Sequence, residues 1–321
     1  MVCGSCIAFL VVAVSIGYNV WKWFLQQRLE NNSKRTIAIS GTDSGFGYLL
    51  ALRLISKGVP VIGGCFSDKG VEDLKAATKN SPLLKTFKLD VGKDESVRDF
   101  AIFVEKSVGR DGLWGVVANA GILGYSGPDD WLTTEDYIKT LQVNTFGVMR
   151  FIQNLKKFVK LQKGRQVRLQ MCLISDSESS SFLPYLDVPQ DPLHELIDFG
   201  VTVHLLEPGF FTTNITQTAT KDLDDIWTRL DSDTKQEYGE KYFKDYKESR
   251  FSRLSHCADD LEPVIDAYEH ALLGKYPKTR YWVGWDTILF YIPLATLPTF
   301  LQDAFISVQR RHRPVPQAMQ K

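Results

Sequence analysis

The chain has 321 residues, 44% hydrophobic and 24% charged, a mixture that supports a buried core and shows no collagen-like or disordered bias. Lys+Arg and Asp+Glu each number 38, so no net field recruits a polyanion and nucleic acid is not expected as a partner. The five cysteines (Cys3, Cys6, Cys65, Cys172, Cys257) form no metal-ligand spacing and no even framework, so the expectation is reduced thiols and no metal.

The first segment stands apart. Between Val2 and Leu25 only Lys22 is charged, and about 20 apolar residues suffice to span a bilayer. A cleavable leader would open on basic residues and end in small ones, whereas this one opens Met-Val-Cys-Gly and ends in Trp21, Trp23 and Phe24. The tryptophans read as an interfacial belt. Lys22, Arg28, Lys34 and Arg35 accompany them, which places the body on the cytosolic side. Residues 1–27 are therefore assigned as a membrane anchor and 28–35 as a linker. An apolar helix packed on the domain is the alternative.

Short apolar runs then alternate with helical periodicity, the pattern of a parallel α/β sheet. Strands are predicted at Thr36–Ser40, Val59–Gly63, Leu84–Leu89, Gly115–Ala118, Val167–Ile174 and Thr202–Leu206. Helices are predicted at Phe46–Lys57, Val71–Lys79, Lys93–Val108 and, as one long element, Asp136–Lys160. The crossover from the fifth strand to the sixth is abnormal. Its helix hardly exceeds Pro192–Asp198, with Asp191 as cap. Such a helix rises only about 10 Å against roughly 17–20 Å for a strand. The stretch Gln166–Met171 reads as an insertion ahead of the strand core. The apolar tail Tyr281–Val308 contains Asp286, Pro293, Pro298 and Asp303, which suit a substrate lid or an interfacial helix better than a spanning one. A C-terminal helix closing the core is the alternative.

Ser40-Gly41-Thr42-Asp43-Ser44-Gly45-Phe46-Gly47 follows the first strand and opens a helix, the context that makes a glycine motif a dinucleotide site. Gly41 permits the turn, Gly45 lets backbone amides approach a pyrophosphate, and Gly47 seats the helix on the sheet. The helix N-terminus supplies unsatisfied N–H groups to the phosphates. Asp90-Val91 ends the third strand, where the carboxylate can reach an adenine. Asn119-Ala120-Gly121 ends the fourth, beside the ribose, and Asn144 lies on the long helix. Cys65 stands where an acidic residue would bind the ribose hydroxyls. No Arg or Lys occupies the turn to receive a 2′-phosphate, which favours NAD over NADP.

These residues resemble the classical short-chain dehydrogenase/reductase family, in its membrane-anchored retinol and hydroxysteroid dehydrogenase branch. Thr42–Gly47, Glu207-Pro208-Gly209-Phe210-Phe211-Thr212-Thr213, Tyr238–Tyr242, Arg280-Tyr281, Gly284-Trp285-Asp286 and Leu297–Leu301 carry the likeness. It spans roughly residues 30–305. The resemblance implies a Rossmann-type doubly wound parallel sheet over 36–215 and a helical substrate or lid extension over 216–321. It also implies a nicotinamide cofactor under Pro208, Gly209, Phe210 and Thr212, and a steroid- or retinoid-like alcohol or ketone as substrate. The location implied is the endoplasmic reticulum membrane.

The same resemblance calls for a serine, a tyrosine general acid/base, a lysine four residues after it, and an asparagine. Asn144 fills the last role. Ser175 and Ser177 flank the serine position, which falls near Asp176, and Tyr185 is the nearest tyrosine, but Pro189 stands where lysine should. Tyr-x-x-x-Lys occurs in this chain only at Tyr18 and Lys22, inside the anchor. The segment 166–192 is thus a defect in the family pattern, and its shortened helix speaks against a homo-oligomer. His194, with a reference pKa near neutrality, is the one substitute base, and a solvated surface role is its alternative. Three readings stay open: an oxidoreductase whose gene model lacks an exon, a catalytically dead cofactor-binding membrane protein that partners or regulates an active relative, and an enzyme with a rebuilt proton relay.

Overall fold

The computed structural model describes residues 4–125, 127–169, 196–254, 257–310 and 314–319. Among them seven strands form one sheet, all parallel, in the order β3-β2-β1-β4-β5-β6-β7. The strands are β1 (Ile37–Ser40), β2 (Val61–Cys65), β3 (Leu84–Lys88), β4 (Gly115–Ala118), β5 (Arg165–Leu169), β6 (Thr202–Pro208) and β7 (Arg280–Val283). The order in which strands are added reverses between β1 and β4, the switch point where open α/β sheets bind their ligands.

Helix α1 (Gly4–Gln26) leads into the sheet, and α2 (Gly45–Ser56), α3 (Asp68–Ala77) and α4 (Asp94–Val108) follow β1, β2 and β3. The expected long helix is two, α5 (Thr134–Asn144) and α6 (Phe146–Gln162), interrupted at Thr145 (φ −109°, ψ −66°). Helical periodicity runs through the break, so the sequence alone reads it as continuous. Beyond β6 come α7 (Asn214–Arg229), α8 (Ser232–Tyr238), α9 (Glu240–Leu254) and α10 (Glu262–Leu273). After β7 a π-helical turn at Thr287–Tyr291 leads into α11 (Ile292–Thr296) and α12 (Thr299–Arg310).

Strands β1, β2 and β4 are buried at every position, as the central strands of a sheet covered on both faces must be. One face packs Leu50, Ala51 and Leu54 of α2 against Val264, Tyr268, Ala271 and Leu272 of α10. The other packs Val97, Phe100 and Val104 of α4 against Phe151, Leu155 and Phe158 of α6. A separate aromatic cluster joins the extension to the loop before α5. There Trp131 meets Tyr238, Tyr242 and Tyr246 edge-on at 5.3–6.0 Å, and the Tyr238 hydroxyl donates to Asp130 at 2.6 Å.

One expectation needs correction. The fifth strand opens at Arg165, ahead of the expected Val167, and residues 170–174 lie outside the described residues; Gln166–Leu169 of the supposed insertion are strand, with Val167 opposite Val117 and His204. Its charged composition hid it. Arg165 is buried because its guanidinium donates to the Ala271 carbonyl at 2.9 Å and lies over the Trp114 ring. Burial pushes its pKa down to about 10. Of the apolar tail, Tyr281 and Val283 join the core, whereas Trp285 is 79% exposed, Leu289 68% and Phe300 69%.

In α1, residues 12–24 are exposed, and its last turns touch the body where Phe24 meets Tyr276 edge-on at 5.7 Å and Lys278 lies over the Trp21 ring. Among the described residues no helix is long and apolar enough to cross a membrane. The linker is stitched to the body by Leu29 N–H to the Leu273 carbonyl and Lys275 N–H to the Gln27 carbonyl, each 2.8 Å. Nearby, the buried Glu269 gathers Lys57, Arg53 and Arg28. Burial raises its pKa, but those cations outweigh burial and hold it below the usual carboxylate range.

Candidate cofactor and active site

The glycine turn is held by close approaches that only missing side chains allow. A Cβ on Gly41 would stand 2.7 Å from the Ala120 Cα, and one on Gly47 would collide with the Gly41 carbonyl. Asn119 closes the arrangement, its amide nitrogen donating to the carbonyls of Ser40 and Gly41 at 3.1 and 2.9 Å. The amide oxygen of Asn119 accepts from the Tyr268 hydroxyl at 3.1 Å. Ser40 Oγ receives the N–H groups of Asn119 and Ala120. Ser40 and Asn119 therefore bind β1 to β4 rather than offering their side chains outward. Tyr268, fully buried on α10, is a residue that sequence reasoning missed, because nothing in a local window marks it.

Other expected cofactor residues are engaged in the same way. Asp43 accepts the N–H groups of Phe66 and Ser67 at 2.7 and 2.9 Å and the Ser67 hydroxyl at 2.9 Å. Its carboxylate therefore sits at the end of β2, where Cys65 provides no charge. The Cys65 thiol lies 3.1 Å from the Thr42 hydroxyl, and burial pushes it up to about 11. Asp90 caps its own turn through Gly92 N–H, and Val91 is buried under α6 against Gly147. Asn144 clamps Ile122 twice, accepting its N–H at 2.9 Å and donating to its carbonyl at 2.8 Å, which also fixes Gly121 beneath it.

What remains open is the start of α2. Ser44 occupies the N-cap position in extended geometry (φ −163°) but makes no capping hydrogen bond. The first-turn amides of Gly45, Phe46 and Gly47 thus lack a side-chain cap, the arrangement that suits a phosphate. A Cβ on Gly45 would have Thr213 at 3.6 Å as its nearest neighbour, so there is room above the turn. A cleft of about 440 Å³ opens beside it, bordered by Asp43, Ser44, Tyr48, Asp73 and Leu261. These features fit a dinucleotide. The turn is met from the other side by the loop after β6, where the Phe46 and Phe211 rings stand edge-on at 5.8 Å. In that loop Pro208 ends the strand, Gly209 N–H donates to the Val283 carbonyl, and Thr212 N–H donates to the Ala258 carbonyl.

Ser175, Ser177, Tyr185 and His194 lie outside the described residues, as does most of Pro192–Asp198. The end of that crossover is described. Gly200 (φ +72°) donates to the Ile197 carbonyl and Val201 to the Leu196 carbonyl, a helix stop that a left-handed glycine provides. Among the described residues no group of His, Cys, Asp or Glu could hold a metal ion.

Residues 35–170 match the family model for short chain dehydrogenase. The chain is 36% identical over 306 residues to retinol dehydrogenase 7 of Rattus norvegicus, covering 93% of this chain and 96% of that protein. It is 34% identical over 310 residues to 17-beta-hydroxysteroid dehydrogenase type 6 of Mus musculus, covering 94% and 97%. Its fold resembles a solved short-chain dehydrogenase from Streptomyces avermitilis, with a TM-score of 0.66 at 20% identity, covering 86% of this chain and 98% of that one.

Proposed function

The chain belongs to the short-chain dehydrogenase family, and from that premise we propose that it is a nicotinamide-dependent oxidoreductase of lipophilic alcohols or ketones. The observation that carries the cofactor half is the uncapped start of α2 above Gly45, framed by Gly41, Gly47 and Asn119. When bound, the nicotinamide ring would accept or give the hydride. The chain's own residues supply the phosphate cradle, the turn geometry and, through Asn144, the fixed loop at Gly121 and Ile122. Asp43 and Asp73 border the cleft beside the turn, and its lining includes no Lys or Arg, which supports NAD over NADP. The names of the relatives, retinol and 17-beta-hydroxysteroid dehydrogenases, support a retinoid- or steroid-like substrate.

Turnover of this chain is impaired in the same reading. Its body holds no Tyr-x-x-x-Lys. An unassisted tyrosine of pKa near 10 is ionised only about one part in a thousand at pH 7. A positioned general base contributes about 10²–10⁴ in rate. Residues 1–27 anchor the protein to the endoplasmic reticulum membrane. The exposure of residues 12–24 supports this, as do the Trp21, Trp23 and Phe24 belt and the basic linker. The test is binding of NADH and NADPH by the detergent-solubilised full chain, with turnover of retinol and of a 17β-hydroxysteroid measured alongside. NADH binding with slow turnover is the expected outcome. Binding with no turnover at all favours the dead partner protein, and absence of binding ends the oxidoreductase reading.

A further inference from the structure

The segment after β6 and the segment after β7 are joined through one carboxylate. Asp286 Oδ2 accepts the Phe210 N–H at 2.8 Å, 76 residues away in the chain. Two glycines make room for it: a Cβ on Gly209 or on Gly284 (φ +112°) would collide with the Asp286 carboxylate. The Gly209 N–H donates to the Val283 carbonyl at 2.7 Å, and the Phe210 ring meets Tyr291 edge-on at 5.7 Å. From the other flank the Phe210 carbonyl accepts the Ala258 N–H at 3.0 Å. The loop over 208–213 is therefore tied on one side to the start of the exposed tail. On the other it touches the glycine turn through Phe211 and Phe46.

This loop lies at the carboxyl end of β6, across the switch point from β2 and β3. A dinucleotide laid over that switch point places one nucleoside on each side of it. We infer that Asp286 is a positioning residue, holding the loop after β6 against the tail so that the nicotinamide end of the cofactor is retained while the adenosine end is unaffected. The inference rests on the cofactor reading above. The Asp286 side chain acts through the Phe210 backbone. Three backbone features (an amide hydrogen bond and two Cβ-free positions) converge on it, which a solvent-exposed surface aspartate would not require.

The experiment compares affinities for NADH and for ADP-ribose, which lacks the nicotinamide, in the full chain and its Asp286 variants. Asp286→Ala should weaken NADH binding about tenfold, the scale of a hydrogen bond to a charged group, and leave ADP-ribose unchanged. Asp286→Asn keeps a carbonyl acceptor for the Phe210 N–H and should recover most of that loss. Asp286→Glu keeps the charge but adds a methylene between Gly209 and Gly284, so it should also lose NADH selectively. ADP-ribose binding doubles as the check on folding. Unchanged NADH affinity in Asp286→Ala and Asp286→Glu, or an equal loss of both ligands in both variants, overturns the inference and leaves the cofactor reading standing. If the wild-type chain binds neither ligand, the cofactor reading falls and the inference with it.

Discussion

The two halves of the sheet are built differently. In the first, each crossover is complete: β1–α2–β2, β2–α3–β3 and β3–α4–β4 return the chain to the sheet through helices of 10 to 15 residues. In the second, β5 and β6 pair over five positions, Arg165 with Thr202 through Leu169 with Leu206, yet the residues between them contain no tyrosine–lysine pair at helical spacing. Strand pairing depends on backbone groups and on neighbours from both sides, so β5 and β6 can align whatever joins them. In the proposed function, proton transfer needs particular side chains that the joining segment would have to supply. In that reading dinucleotide binding and acid–base chemistry belong to separate stretches of chain, and one can be present without the other.

The strongest way to break this comparison is to exchange the crossover. Replacing residues 170–195 with the corresponding segment of retinol dehydrogenase 16 from Homo sapiens, a 36% identical relative, should raise kcat on a retinoid or steroid alcohol by about 10²–10⁴. NADH affinity should stay within a few-fold, because the turn and its locks lie elsewhere. A chimera that gains nothing would show that the defect is not confined to the crossover.

Acid should act on the second half of the sheet. His204 on β6 is 3% exposed, and its Nδ1 lies 2.6 Å from the Lys278 carbonyl, which can only accept. The neutral ring therefore carries its proton on Nδ1, and Nε2 accepts from the Thr202 hydroxyl at 2.8 Å. Burial first, and then the charge of Arg165, push its pKa down to about 4 from an ordinary 6.5. Below pH 6.5 the unfolded chain takes up a proton that the folded chain refuses. Stability is complete above 6.5 and falls by about 3 kcal/mol as pH drops to 4. Urea midpoints across that range should show the loss in the wild type and a flatter curve in His204→Gln.

The first half was the more legible in sequence for a physical reason. Strands β1 and β4 are apolar runs buried on both faces, and the turn between β1 and α2 is written in three glycines within seven residues, Gly41, Gly45 and Gly47, so both signals are local. The start of β5 is hard to read because Arg165 and Gln166 look like loop, and only the distant Ala271 carbonyl and Trp114 ring make a buried arginine tenable. The same holds for Tyr268 on Asn119, 149 residues apart, and Asp286 on Phe210. Asn144 stands out in the sequence, but its clamp on Ile122 and the break at Thr145 do not, since periodicity continues through both.

Two alanine substitutions sharpen the account of the turn itself. In Gly47→Ala the new methyl meets the Gly41 carbonyl and stands 2.5 Å from the Asn119 amide nitrogen, backbone and a locked side chain that have nowhere to move. Overpacking of this kind costs about 2 kcal/mol, so melting temperature and NADH binding should fall together.

Gly45→Ala should separate them. Its φ of +61° makes any side chain cost about 1 kcal/mol in the left-handed region, but the nearest atom to the new methyl is Thr213 Cγ2 at 3.6 Å, an ordinary contact. The fold should lose only about 2–4 °C in melting temperature. NADH affinity should fall by much more than that penalty, because the methyl would occupy the space through which the first-turn amides of α2 are reached. Thermal melting and NADH titration on the same preparation decide the matter. A variant that melts slightly lower yet binds NADH as the wild type does would mean that the space above Gly45 holds no pyrophosphate, and the local glycine signal would then describe a structural turn alone.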